Sequence, residues 1–470
     1  MTVFTQSNAL SSTEPMKVAR SLLSTRFRTP QGHQGLWVWR GNVLEWFGGQ
    51  WHVRDNEWIE SAVWLALEDA EYTVQTSTGT EVRRFAPTPH KVQGVIDALR
   101  QVARLPWKQL PVWTREGDTL DAGRTMTFRN MVVDVRDLKP VPRDETWIQT
   151  MVLPVDLDPA SECPTWMRCL DQWSDSDDDW KALVQRMFGY CLTGHSLYAK
   201  WFLLHGKVRG GKGTMMGVLK KLLGGAFASM SLEDLARPFG LWGLERSKVL
   251  SIGEVAEIRG SEAETACRVL KQIVGRDPLV IDVKYREPLR DVVVDAIPIM
   301  QANEIPRLPN KGMGLSSKMV PIPFRVSFLG REDHLLSQKL DDELPGIAAW
   351  ALQGAHDLEM ESNPAQRFPL TDEGHSIIED YATANNPVDD FLETHFEPSP
   401  NQFVASSVIG DRWNRWCEAT GGRRMPLRSL IQHLREHGSW ELKKHRLGAG
   451  GPRGIVGLKL KPLPESALER

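Results

Sequence analysis

The residues from Gly206 to Thr214 read GKVRGGKGT, a spacing suited to phosphate chemistry. Glycines at 206, 210 and 211 let backbone N–H groups turn inward on an anion. The N-terminus of a following helix adds partial positive charge, and Lys212 places a point charge on the β- and γ-phosphates of a nucleoside triphosphate. Such a loop works only between a strand and a helix. Both are present: the buried-strand run KWFLLH, Lys200 to His205, precedes it, and the apolar helix MMGVLKKLL follows and stops at Gly224-Gly225. Gly213 stands where a hydroxyl would normally meet Mg²⁺, and Thr214 comes next. The metal is therefore expected to rest mainly on the phosphates and water, with Thr214 and Glu254 as the protein's candidate ligands.

Glu254 lies in KVLSIGEVAE, Lys248 to Glu257, at the end of an apolar strand. A carboxylate there can orient or deprotonate a water, or bind the metal through one. In IPIMQANEIPR, Ile297 to Arg307, a second buried strand ends at Asn303, whose amide can bond the attacking water and the γ-phosphate. Between the two, a helix over 261–274 leads into alternating residues that predict a hairpin with Lys284, Tyr285 and Arg286 at its tip. A basic-aromatic tip can grip a phosphate and stack on a base, and it also suits a solvated turn. The strand MVVDVRD has Arg136 two residues after Asp134, so the paired carboxylates of a polymerising site are missing.

The loop alone leaves the energy's use open, because Gly-Lys-Gly-Thr also ends the loop of adenylate-kinase-like enzymes. A nucleotide kinase would need a second base-recognising site and an arginine-rich lid soon after the loop, and neither is visible.

The elements that must position these residues follow from periodicity and turn signals. Gly35 to Arg54 predicts a small meander broken at Gly41-Asn42 and Gly48-Gly49, with its tryptophans in the core and in cross-strand pairs. Helices are expected over about Asn56 to Ala70, Pro89 to Ala103 and Asp178 to Thr193. In the last of these, Trp180, Leu183, Val184, Met187, Phe188, Cys191 and Leu192 share one face. Five scattered cysteines have neither zinc-like nor redox-like spacing, so neither disulfides nor a zinc site is expected. No apolar run approaches the roughly 18 residues of a membrane span, and the N-terminus lacks a secretory pattern. A cytoplasmic protein without a membrane partner is expected.

The formal net charge is -3, yet residues 401–470 carry thirteen Lys/Arg against six Asp/Glu, a local balance of +7. Ser406 to Gly421 predicts a helix, a second helix starts at Pro426 and stops at Gly438, and WELKKHR and GIVGLKLK flank a glycine-rich turn. This pattern predicts a winged helix, with Arg428, Gln432 and Arg435 facing a duplex and Lys443, Lys444, Arg446 and Arg453 on the wing. A basic subunit-contact domain is the alternative.

Taken in order, these motifs resemble a superfamily 3 helicase of the phage and plasmid primase-helicase type. The residues that carry the resemblance are GKVRGGKGT, the strand ending at Glu254, VLKQIVGRDPLVIDVKY and IMQANEIP. It continues through VPIPFRVSF and LDDELPGIAAWALQGAHDL, and upstream through FRNMVVDVRDLKP and MFGYCLTGH. It covers residues 125–395. The resemblance implies an AAA+-like motor assembled as a homo-hexamer, driven by ATP with Mg²⁺ and moving 3′ to 5′ on single-stranded and forked DNA. By position Lys212 would bind phosphate, Glu254 would serve metal and water, Asn303 would be the sensor and Lys284 would grip DNA. Lys318 stands where an arginine acting on the neighbouring subunit's nucleotide is expected, with Arg325 and Arg307 as alternatives.

The expected fold is a multidomain α/β chain. A central AAA+/ASCE-type P-loop ATPase with a parallel sheet (198–362) is preceded by a flexible arm (1–30), a small α+β domain (31–145) and a helical collar (146–197). A linker (363–387) and a C-terminal winged helix (388–470) follow. The expected activity is that of a replicative DNA helicase of a phage, satellite or plasmid in a bacterial host, with any primase or polymerase supplied by another chain. An ATP-regulated initiator or scaffold that assembles on DNA without unwinding is the non-enzymatic alternative.

Overall fold

The computed structural model describes residues 9–461 except 11–12, 40, 78, 107–109, 115–123, 142–143, 150, 194, 254–259, 285–286, 307, 309–314, 386, 421–424, 437–441 and 447–450. It is a mixed α/β structure built around a five-stranded parallel sheet. Among the described residues no helix is long and apolar enough to cross a membrane.

The N-terminal region contains β1 (Ala9–Leu10), α1 (Pro15–Thr25), β2 (Leu36–Trp39), β3 (Asn42–Phe47), β4 (Gln50–Arg54), α2 (Asn56–Glu68), β5 (Glu71–Thr76), β6 (Gly79–Arg84) and α3 (Pro89–Val102). The meander forms as the turn signals predict. Gly48 and Gly49 both take positive φ, the requirement of a two-residue hairpin turn, and Trp46 meets Trp51 edge-on across it at 5.5 Å. Asp55 caps α2 through the Trp58 amide at 2.7 Å. The arm expected over residues 1–30 is in part helix α1: Val18, Ala19 and Leu22 are buried against α3. The polar composition of SSTEPMKVARSLLST masks this short apolar stripe, and Pro15 in its first turn is its start signal.

Short strands β7 (Val112–Trp113), β8 (Thr125–Thr127), β9 (Val132–Asp134), β10 (Pro140–Val141) and β11 (Trp147–Ile148) lead to α4 (Pro164–Ser174) and α5 (Asp178–Thr193). The spacing in α5 buries every residue expected on its inner face. Helix α4 falls within the helical collar expected over 146–197, where only the helix of Asp178 to Thr193 is individually expected; Trp166, Cys169, Leu170 and Trp173 have helical spacing and Pro164 marks its start.

The central sheet takes β12 (Trp201–Gly206), then α6 (Lys212–Leu223), β13 (Phe227–Met230), β14 (Val249–Ile252), α7 (Gly260–Gly275), the hairpin β15 (Leu279–Ile281) and β16 (Leu289–Val292), β17 (Ile297–Ala302) and β18 (Met319–Phe324). Its order is β13-β14-β17-β12-β18, all parallel. A strand covered on both faces is apolar throughout, which explains WFLL. Phe202 and Leu204 enter one core with α4, α5 and α6, while Trp201 and Leu203 enter the other with α7 and the hairpin.

Helices α8 (Leu336–Asp342) and α9 (Leu344–Met360) close the first layer. That layer runs from Met126 to Phe368 as one buried cluster, so a single core crosses the boundary expected between collar and motor. Residues 363–387, expected as a linker around one short helical stretch, contain the whole of α10 (Asp372–Asn385), whose Ile377 and Tyr381 are buried in the second core beside Trp201. Charged outer positions dominate its composition, and its few buried side chains attach it to the sheet.

The C-terminal unit runs α11 (Pro387–His395), β19 (Phe396–Ala405), α12 (Ser406–Thr420), α13 (Leu427–Glu436), β20 (Lys443–Arg446) and β21 (Arg453–Leu460) around its own core. Its sheet order is β19-β21-β20. Strand β19 escaped the sequence reading because Pro398 and Pro400 interrupt it. As an edge strand paired only with β21, it tolerates prolines that cannot donate to a ladder.

Candidate functional site

Parallel strands bring their C-terminal ends to one edge, where open α/β sheets bind ligands. Four candidate segments reach that edge: the loop after β12, the chain after β14, Asn303 after β17 and Arg325 after β18. The loop needs its glycines. Gly206 has φ +138° and a Cβ there would stand 2.2 Å from the Phe324 carbonyl oxygen. Gly211, at φ +104°, caps α6 with its Cα against Trp173, and a Cβ would stand 2.3 Å from the indole Nε1.

Lys212 begins α6 and is buried. Its ammonium donates to the Gly206 carbonyl at 2.6 Å, the Lys207 carbonyl at 2.9 Å and the Asn303 Oδ1 at 2.8 Å. Two candidates 91 residues apart are thus in direct contact. Burial, with the Lys212 charge adding to it, holds the His205 imidazole below its ordinary value, so it is neutral near pH 7.

Above the loop lies a cavity of about 1090 Å³, lined by Gly210, Gly211, Lys212, Gly213, Thr214 and Asn303 among others. Its other walls come from α4, which contributes Arg168 and Trp173, and from the stretch after β18, which contributes Phe328, Arg331 and His334. Sequence reading missed these wall residues. Their only signal was the helical spacing of α4, since the loop and its walls are joined by tertiary contacts alone. Helix α4 is held in place from a distance: the Glu343 carboxylate accepts from the Thr165 and Trp166 amides at 2.8 and 2.9 Å, capping its N-terminus.

For a divalent cation, the loop offers the Thr214 hydroxyl at the cavity wall and no hydroxyl at Gly213; of the carboxylates lining the same cavity, Asp333 is paired with Lys339 and Glu332 lies 3.9 Å from Arg209. Glu254, Tyr285, Arg286 and Arg307 lie outside the described residues.

The other candidates are separate from the cavity. Lys318 precedes β18 at the opposite end of the sheet from Phe324, which is level with Gly206. At about 3.3 Å per residue the strand separates Lys318 from the loop by some 20 Å. Arg325 is at the correct edge but engaged: it pairs with Asp177 at 3.1 Å and with Glu373, and donates to the Ser174 carbonyl. The Glu373 hydrogen bond, followed by that to Asp177, holds its guanidinium pKa above the ordinary value. Arg325 therefore ties α4, the start of α5 and α10 to the sheet. Arg325→Met is expected to lower the stability of the central unit by about 1–2 kcal/mol, the scale of losing charge-assisted bonds at a half-buried site. Urea unfolding checks this, and an unchanged midpoint would remove the structural role.

Lys284 is exposed between β15 and β16. Arg428 and Arg435 are exposed on α13, Lys443 is exposed on β20, and Lys444 follows it in the same strand.

The fold and the cavity define a mixed α/β protein with a five-stranded parallel sheet, compatible with a P-loop-like domain. No protein-family model and no curated protein matches the chain. Among solved structures it is similar to the apo C-terminal region of NrS-1, at 12% identity and a TM-score of 0.48, covering 95% of this chain and 100% of that one. Two A-form apo structures of the same region give 11% identity with a TM-score of 0.45, covering 90% and 96%, and 12% with 0.47, covering 95% and 100%.

Proposed function

We propose that the chain is an ATP-dependent replicative DNA helicase of a phage, satellite or plasmid, working as a homo-hexameric ring that moves 3′ to 5′ on single-stranded DNA in the bacterial cytoplasm. The observation that carries this reading is the Lys212–Asn303 contact at the edge of a sheet in which β17 lies between β12 and β14. An incoming γ-phosphate competes for the same ammonium, so nucleotide binding and hydrolysis would shift Asn303 and the segment behind β17. A motor needs such a sensor to convert the state of the nucleotide into movement.

Mg²⁺, bound by the phosphates and water with Thr214 and Glu254, would neutralise charge on the β- and γ-oxygens. Lys318 is assigned the role in trans. It lies too far from its own cavity to act there, and Arg325 is occupied by Asp177 and Glu373. Its point charge lacks the planar fork of arginine, so its effect on hydrolysis is smaller than an arginine's. Lys284, with Tyr285 and Arg286, grips the translocating strand. The C-terminal unit, whose helices α12 and α13 precede a β20–β21 wing, binds duplex DNA through Arg428, Arg435, Lys443 and Lys444. A primase or polymerase is supplied by a separate chain.

Unwinding of a forked duplex with ATP tests the reading. Strand separation with DNA-stimulated hydrolysis supports it, and phosphoryl transfer to a nucleoside monophosphate overturns it. The missing hydroxyl at Gly213 favours a second reading, an ATP-regulated scaffold, whose signature is DNA-dependent assembly without unwinding. Within the helicase reading, Lys284→Ala is expected to reduce unwinding about tenfold, the cost of one lost phosphate or stacking contact, and leave basal hydrolysis within about twofold. Equal loss of both would remove Lys284 from the DNA path.

A further inference from the structure

The cavity is larger than a triphosphate needs, and it continues past the phosphate loop along one face of α6. Gly213 and Thr214 line it first, then Gly217 and Val218 a turn later, then Lys221. Glycine weakens a helix, and α6 has two within its first six residues. Packing does not require them. A Cβ at Gly213 or Gly217 would meet no atom within 4 Å, whereas at Gly189 and Gly354 backbone stands in the way. Neither position has a positive φ. What the absent side chain at Gly217 leaves is cavity.

Resting on the nucleotide reading above, we propose that Gly217 is the floor of a nucleoside slot. Gly217 lies about 6 Å along the helix axis from Gly213. A nucleotide whose β- and γ-phosphates meet Lys212 therefore carries its ribose and base over the second turn of α6. The slot there is lined by the half-buried Leu336 of α8, backed by the buried Leu340 and by Cys169 of α4, and the exposed Gln172 amide offers a donor and an acceptor to a base edge. Apolar walls with one or two polar groups fit a nucleobase, and the open backbone of Gly217 lets the ring lie close to the helix.

The test is calorimetric titration of ATP and of inorganic tripolyphosphate into the full chain and its Gly217→Val variant. The expected result is a loss of ATP affinity of at least about tenfold in the variant, with tripolyphosphate bound within about twofold of wild type. Undiminished ATP binding would overturn the slot and leave the phosphate site standing. Equal loss of both ligands, with an unchanged circular dichroism spectrum, would also overturn it, because Gly217 would then act on the phosphate loop. Failure of wild type to bind either ligand would remove the nucleotide reading and the slot with it. Should the valine variant not fold, Gly217→Ala carries the same comparison with a loss of about threefold for ATP only.

Discussion

Lys212→Ala is expected to reduce ATP hydrolysis by about 10²–10³-fold, the scale of removing one preorganised charge from a site where negative charge builds up. The ammonium is already positioned by the Gly206 and Lys207 carbonyls and by Asn303. Little reorganisation is needed when the phosphates take the place of one of these partners. Burial lowers the local dielectric and strengthens the interaction. Lys212→Met keeps the aliphatic stem and removes only the charge, so it should match alanine in activity while preserving more stability. Arginine should not rescue, because a planar fork has different geometry and the site is packed around a compact head group. Steady-state phosphate release is the measurement. Near wild-type turnover in both variants would refute the assignment of the cavity.

Gly354→Val is expected to cost the central unit about 3 kcal/mol of stability. Helices α5 and α9 cross where two glycines meet backbone. A Cβ at Gly354 would stand 2.2 Å from the Gln185 carbonyl oxygen, and one at Gly189 would stand 2.2 Å from the Ala355 amide nitrogen. Backbone cannot rotate away as a side chain can, so the helices must separate and the aromatic cluster of Trp166, Phe188 and Trp350 must open with them. Because Glu343 leads into α9 and caps α4, the displacement also reaches the cavity wall. Thermal unfolding should show a midpoint lowered by about 6–12 °C. Gly225→Ala, where a Cβ meets no atom within 4 Å, is the control expected to change little. A wild-type midpoint for Gly354→Val would mean that the crossing is looser than described.

Much of the candidate site was legible because its signals are local. The strand, loop and helix around Lys212, the strand before Asn303 and the basic C-terminal helix each show in fewer than about twenty consecutive residues as period 2, period 3.6 or a glycine spacing. Elements whose local signal was weak were misread. Helix α1 is short and mostly polar, α10 showed only as one short helical stretch in a charged linker, and β19 contains prolines that only an edge position accepts. The ion pairs of Arg325 were also illegible, since Asp177 and Glu373 lie 148 and 48 residues away.

By itself the sequence determined that a glycine-rich loop with a central lysine lies between a buried strand and an apolar helix, that two more buried strands end in polar residues, and that positive charge gathers near the C-terminus. These are properties of backbone conformation and side-chain period, decided within a few residues. Only the tertiary structure decided that Asn303 meets Lys212, that Arg325 is occupied while Lys318 lies at the far end of the sheet, and that α4 and α8 enclose the face of α6 carrying Gly217. The order of strands in a parallel sheet and the helices packed on it depend on contacts between distant segments, and such contacts leave no period in the chain to read.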